Sequence, residues 1–249
     1  MIKTRNTVAR PTAESFSEHA YQLIREKILR GKYPLGAALS RRQLAKELRM
    51  SFLPISEALQ HLEIDGLVES RPRVGTRVRI PTLQGIRERY VLREALESQA
   101  ARLFAQNTDE NSNAEICNMG RQLDQLHASS GGADDDFLYS VNSYHMRFHL
   151  RIAEIGGNTL LRDAIEREQV LIFNWLFDTA AHQHTLPANF HSELAAALAS
   201  GSLEVADAAM RSHVRYGLDY VLDALRPFTD GNEWRVPRNG NSHGVLASK

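Results

Sequence analysis

His145 and His149 stand four residues apart in "NSYHMRFHLRIAEIGGN", a spacing that puts two imidazoles on one face of a helix. Val141, Phe148, Ile152 and Ile155 mark the apolar stripe of that helix, and both histidines fall on it or beside it. His191 shares a stripe with Pro187, Leu194, Ala195 and Leu198 in "LPANFHSELAAALAS". His213 shares one with Ala206, Met210, Gly217 and Tyr220 in "EVADAAMRSHVRYGLDYV". A single inward histidine is ordinarily a hydrogen-bonded core residue. Four on core-facing positions of three helices are hard to satisfy without a cation. Imidazole suits Zn, Ni, Cu and Fe, and four nitrogens fill a tetrahedral site or part of an octahedral one. The competing reading is a polar core that holds no metal. Asn142, about one turn before His145, is a candidate to support the site or to line a pocket there.

The chain that must position these groups has 249 residues, 43% of them apolar and 24% charged, which is ordinary globular composition. Its one cysteine, Cys117, excludes an intramolecular disulfide framework and suits a reducing compartment. The polar start "MIKTRNTVARPTAESF" lacks the apolar run of a secretory signal. The stretch "VLIFNWLF" is too short to cross a bilayer as a helix. A cytoplasmic protein without a membrane partner is expected.

The zero net charge hides a split. Residues 1–80 hold 15 Lys and Arg against 8 Asp and Glu, a net of +7, so the remainder carries −7. A basic module joined to an acidic one implies that only the first meets a polyanion.

The basic module reads as helix, helix, helix, hairpin. Residues 1–14 are expected to form a flexible arm, followed by an amphipathic helix with Phe16, Ala20, Leu23, Ile24 and Ile28 on its stripe and Gly31 at its stop. "KYPLGAAL" reads as a turn. Ser40 with Gln43 three residues on is a capping box for a second helix over 40–49. Ser51 is placed to cap a third, which runs to Gly66 with Pro54 in its first turn. Leu67–Ser70 and Thr76–Ile80 read as strands joined by a turn at Arg71–Gly75. This order, ending near residue 80, spells a winged helix-turn-helix. Its third helix fits the major groove, and Arg71, Arg73 and Arg77 around Gly75 are placed to reach phosphates or the minor groove. The plainer alternative is a small helical domain with a solvated hairpin.

Past Pro81 only helical periods occur, with helices expected over 82–106, 110–129, 135–155, 159–180, 187–200 and 202–226. Asp134 to Asp136 favour a helix start. The fold class expected is mainly α: a winged helix-turn-helix over 15–80 and an antiparallel six-helix bundle over 81–227. The tail 228–249 is rich in Gly, Asn and Pro and is expected to be loosely ordered.

The segment "IREKILRGKYPLGAALSRRQLAKELRMSFLPISEALQHLEIDGLV" resembles the N-terminal domain of the GntR family of bacterial transcription regulators. "LREALESQAARLFAQ" and "FHLRIAEIGGN" resemble signatures of the all-helical ligand-binding FCD domain of its FadR-type subfamily. The short link between wing and bundle is most similar to the six-helix VanR-type branch. The resemblance implies a homodimer on a pseudo-palindromic double-stranded DNA operator, modulated by a small-molecule effector. Arg42, with Arg41 beside it, and Ser51 match DNA-contacting positions. Two arginines usual in the family's recognition helix are replaced by Phe52 and Ser56, which removes potential guanine contacts and implies a different operator.

The subfamily pattern also implies a divalent metal held by an aspartate and three histidines. His149, His191 and His213 match the histidines, and His145 occupies the aspartate position. Four imidazoles favour Zn or Ni over Mn; the alternative is that His145 swings away and water or effector takes its place. Arg93 matches an arginine directed at the ligand, which implies a small organic acid as effector; its plainer role is an ion pair with Glu97 at i+4. His182 and His184 read as loop residues and His61 as a surface residue. Two further functions share the histidines. One is a metal-responsive regulator. The other is a helical metalloenzyme, disfavoured because Glu154, a nearby carboxylate, falls on the opposite helix face.

Overall fold

The protein is described by a computed structural model over residues 13–129, 134–177 and 186–229. Helix α1 (Ala13–Leu29) buries Ala20, Ile24 and Ile28 completely and packs on α3. It starts within the segment expected to be a flexible arm. Helix α2 (Arg41–Leu48) is capped by Ser40, whose Oγ accepts from the Gln43 backbone N–H at 3.4 Å. The chain then turns through Arg49 in the left-handed region (φ 54°) and enters α3 (Phe52–Ile64). Helix α3 buries Ile55, Ala58, Leu59 and Leu62, the i, i+3, i+4, i+7 pattern of one apolar stripe.

The hairpin is formed by β2 (Val68–Arg71) and β3 (Gly75–Val78), with Arg71 opposite Gly75. A third strand, β1 (Ala38–Leu39), lies within the stretch expected to be only a turn. It pairs antiparallel with β3, giving the order β1-β3-β2. Two residues are too few to show a period-2 pattern, so partner strands alone reveal it.

Six helices form the second part: α4 (Leu83–Asn107), α5 (Glu110–Ala128), α6 (Asp135–Ile155), α7 (Thr159–Phe177), α8 (Phe190–Leu198) and α9 (Leu203–Thr229). Thr82, Asp109 and Asp134 cap α4, α5 and α6 through their side-chain oxygens. Long α4 packs along α9, while α5 meets α6 and α8. Phe104, Ile116, Leu123, Phe148, Ile152 and Leu198 are core residues. Residues 230–249 of the expected tail, His182 and His184 lie outside the described residues, as do nearly all of the N-terminal arm and residues 178–180 of the expected 159–180 helix; residues 228–229 belong to α9.

One close approach matters for the site. A Cβ built on Gly120 of α5 would lie 2.8 Å from the His191 carbonyl oxygen and 3.0 Å from Ala195 Cβ. Only glycine lets α8 come this near to α5. Gly120→Val should therefore lower stability by about 1–3 kcal/mol, the usual cost of overpacking, in a denaturant titration. An unchanged midpoint would show that α8 can shift without cost.

Candidate functional site

Helices α5, α6, α8 and α9 bring five histidines together: His127, His145, His149, His191 and His213. His149, His191 and His213 are 1%, 0% and 6% exposed, and His127 and His145 are half-buried. The Nε2 atoms of His145 and His149 lie 2.9 Å apart. Ring centroids are 4.8 Å apart for His145 and His191, 5.1 Å for His149 and His213, and 5.4 Å for His191 and His213. All four sequence-selected histidines thus meet at one place.

Carboxylates stand behind two of the rings. His149 Nδ1 is 2.6 Å from Glu97 Oε2, and His191 Nδ1 is 3.0 Å from Asp124 Oδ1. A carboxylate at Nδ1 fixes the tautomer and turns the Nε2 lone pair toward the other rings, the usual outer-shell support of a metal-bound histidine. Asp124 also accepts from the backbone N–H groups of His191 at 2.9 Å and Ser192 at 3.0 Å, and from the Ser192 hydroxyl. Asn189, the formal cap of α8, makes no side-chain cap bond, so Asp124 of α5 satisfies the start of α8 across space. Burial raises the Asp124 carboxyl, but the bonds from His191 and Ser192 outweigh it and hold the group well below the usual carboxylate range.

Glu97 is 1% exposed on α4. Its Oε1 accepts from Arg93 Nε and, at 2.8 Å, from Gln169 Nε2. Burial pushes its carboxyl up, yet the Arg93 charge and then His149 prevail and hold it at about 2. Arg93 is itself 4% exposed, and its guanidinium lies 5.3 Å from the centre of the Tyr90 ring. The i+4 pairing with Glu97 is therefore present, and Arg93 reaches the histidines through Glu97. Asn142 is half-buried on α6. Glu154 points away from the cluster and pairs with Arg151 and Arg162.

The donor set fits a cation. Burial first, then neighbouring imidazoles, pull His145 and His213 well below the ordinary histidine value. Burial also lowers His191, against the pull of Asp124, and takes His127 down to about 4. Neutral imidazole is the form that ligates a metal. His191 Nε2 and His213 Nδ1 are buried and have no hydrogen-bond partner among the described residues. Each such orphaned atom costs about 1–3 kcal/mol, a cost that a bound cation removes.

The other surface lies at the far end of the chain's basic half. Arg41 and Arg42 are exposed at the start of α2, and Ser51 and Phe52 at the start of α3. The Ser51 hydroxyl makes no cap bond with its helix. Phe52 and Leu53 are 58% and 61% exposed, an apolar tip on an otherwise basic face. Ser56 turns its hydroxyl back to the Phe52 carbonyl at 2.9 Å. Arg71, Arg73 and Gly75 are exposed at the wing, with Arg73 and Gly75 at φ 65° and 105°. Arg77 departs from expectation. It is 4% exposed and its Nε donates to Glu69 at 2.7 Å across the hairpin, so its guanidinium does not extend from the wing. Arg77 lies on β3, the middle strand, between Ala38 of β1 and Glu69 of β2.

Residues 16–78 match the family described as bacterial regulatory proteins, gntR family, and residues 88–216 match the FCD domain. The chain belongs to the GntR family and carries an FCD domain. It is a DNA-binding transcriptional regulator, not an enzyme. It is 29% identical to the "Probable D-xylose utilization operon transcriptional repressor" of Paenarthrobacter nicotinovorans over 84% of this chain and 89% of that one. It is 23% identical to the HTH-type transcriptional repressor RspR of Escherichia coli over 93% of this chain and 98% of the other. A solved GntR regulator from Rhodococcus sp. RHA1 superposes with a TM-score of 0.68 at 23% identity, covering 84% of this chain and 99% of that chain, and shows the shared fold. Among the described residues no helix is long and apolar enough to cross a membrane.

Three residues of this GntR regulator's cluster were not selected as site residues from sequence. His127 continues the buried series Ile116, Gly120, Leu123 of α5, a spacing that would have pointed it inward. Glu97 was visible only as a partner of Arg93. Asp124 had no signal, because its partner lies 67 residues away.

Proposed function

We propose that the protein is a homodimeric repressor whose FCD domain holds one Zn or Ni ion through His145, His149, His191 and His213, and that a small organic acid taken up at this ion alters operator binding. The observation that carries this reading is the pair of carboxylate-backed imidazoles, Glu97–His149 and Asp124–His191, beside two buried ring nitrogens that lack hydrogen-bond partners. The ion supplies a positive centre for a carboxylate. The chain's own residues orient the rings and, by burying them, favour neutral His145, His191 and His213. Asn142 lines the approach from α6, and Arg93 acts by holding Glu97. Two relatives named as repressors support repression as the sign. Dimerisation follows from the two-fold logic of operators. On DNA, Arg41, Arg42 and Ser51 hold phosphates, Arg71 and Arg73 flank Gly75 at the wing, and Phe52 meets a thymine methyl.

Elemental analysis of untagged protein tests the metal centre. One Zn or Ni per chain is expected in the wild type and none in His149→Ala, with helical content retained. A metal-free wild type overturns the reading. A metal-responsive regulator uses the same ligands; it is favoured if chelators release the ion readily and operator affinity follows the ion alone.

A further inference from the structure

The five imidazoles do not form one ring of ligands. Their nitrogens fall into two sets of three, each with its atoms within 4.8 Å of one another: His127, His145 and His191, and His145, His149 and His213. The first draws on α5, α6 and α8, the second on α6 and α9. His145 is common to both. The His127 ring centre is 5.2 Å from that of His191, with planes 10° from parallel, and 6.1 Å from that of His145.

We infer that His127 is a fifth cation ligand, completing with His145 and His191 a second ligand set, and that a single cation is shared between the two sets through His145. This rests on the reading of the cluster as a metal centre and extends it to a residue that the four-ligand pattern leaves out. The orphaned nitrogens support it, because they lie one in each set: His191 Nε2 in the first, His213 Nδ1 in the second. Each set also has one ring backed by a carboxylate, Asp124 behind His191 and Glu97 behind His149. The two sets are therefore built alike around a common member.

Mutual repulsion between two dications so close together disfavours double occupancy. Neutral imidazoles do nothing to offset this, and the acidic groups beside the rings include Glu97, already paired with Arg93, and Asp124. One ion with two sets of donors is the arrangement that the charges favour. Five nitrogen donors and no first-contact carboxylate select Co, Ni, Cu or Zn over Mn or Mg.

Cobalt(II) tests this on the full-length protein, because its visible spectrum reports the ligands directly and needs no operator assay. The wild type is titrated beside His127→Phe, His127→Ala and His145→Ala. Phenylalanine keeps the ring packed against His191 while removing both nitrogens, so a folded variant is secured, and circular dichroism confirms it. Loss of an outer-shell partner already weakens metal binding about 10–100-fold. Loss of His127 as a ligand should weaken it at least as much and change the cobalt bands, and His145→Ala should weaken it further still. One equivalent should bind the wild type. If both His127 variants match the wild type in affinity and spectrum, His127 is not a ligand and the inference fails while the four-histidine centre stands. Two equivalents in the wild type overturn the shared-ion arrangement. No binding to the wild type sinks the metal centre itself.

Discussion

Glu97→Gln should unfold the protein at markedly lower denaturant concentration, by about 3–5 kcal/mol, the usual cost of removing one partner of a buried ion pair. Three side chains meet at this carboxylate, Arg93, His149 and Gln169, and the Arg93 guanidinium lies beside the Tyr90 ring. Glutamine has nearly the same shape, so no cavity forms. What is lost is the charge, and Arg93, 4% exposed, is left as an uncompensated buried cation. Arg93 and Gln169 both donate to Oε1, which the amide oxygen can replace, but the amide NH2 then faces His149 Nδ1, where a carboxylate oxygen stood. The double variant Glu97→Gln with Arg93→Met should recover most of the loss, because an apolar pair of similar volume leaves no buried charge behind. Metal affinity should not recover with it, since the His149 ring stays without its carboxylate. Rescue of stability without rescue of cobalt affinity separates the two roles. If the single variant unfolds at the wild-type midpoint, the Arg93 charge is met elsewhere and this account is wrong.

The double variant Phe52→Arg with Ser56→Arg should change which operator is bound. Phe52 is 58% exposed at the start of the recognition helix, and Ser56, one turn on, directs its hydroxyl to its own helix. Neither makes the bidentate guanine contacts that arginine makes, each worth about 1–3 kcal/mol of discrimination. The proposed dimer would present the pair twice, once per half-site. Even the lower end, about 4 kcal/mol over four contacts, is nearly a thousandfold shift toward guanine-containing half-sites. Binding-site selection run in parallel on wild type and variant measures this at fixed salt. The wild type should enrich a motif with thymine beside Phe52 and the variant one with guanine. The same enriched motif from both proteins would mean that the tip of α3 does not read bases.

The secondary structure of the bundle was readable because its helices carry strong apolar stripes and explicit caps. The Thr82, Asp109 and Asp134 caps stand where the composition shifts from breaker to stripe. The four histidines were readable for the same reason: each sits at a core position of a periodic helix. What could not be read depends on partners distant in sequence. Arg77 looked like a wing residue because β1 is two residues long and leaves no pattern; once β1 pairs, β3 is the middle strand and Arg77 is enclosed opposite Glu69. Asp124 looked like an ordinary polar residue of α5, and only the approach of α8, permitted by Gly120, gives it His191 to hold. Arg93 matched a ligand-facing arginine, yet its exposure depends on how α4, α7 and α9 close around it, which no local spacing encodes.

Helix α6 begins beside the DNA-binding domain and carries two of the histidines further along. At its start, Asp136 accepts from Arg30 of α1 at 3.0 Å, and the Arg30 guanidinium lies 4.1 Å from the centre of the Tyr139 ring. From Tyr139 to His149 is ten residues of unbroken helix, about 15 Å at 1.5 Å per residue. A helix of that length is a stiff connection between the imidazoles and the Arg30 contact. The joint at the far end is weak by construction: the Asp136 side chain is 88% exposed, and an exposed pair of this kind contributes no more than about 1 kcal/mol. Through that joint alone the bundle can bias the DNA-binding domain only about fivefold, for a free energy of that size. Such a contact is made and broken within ordinary thermal fluctuation, which suits a linkage that must release as readily as it grips.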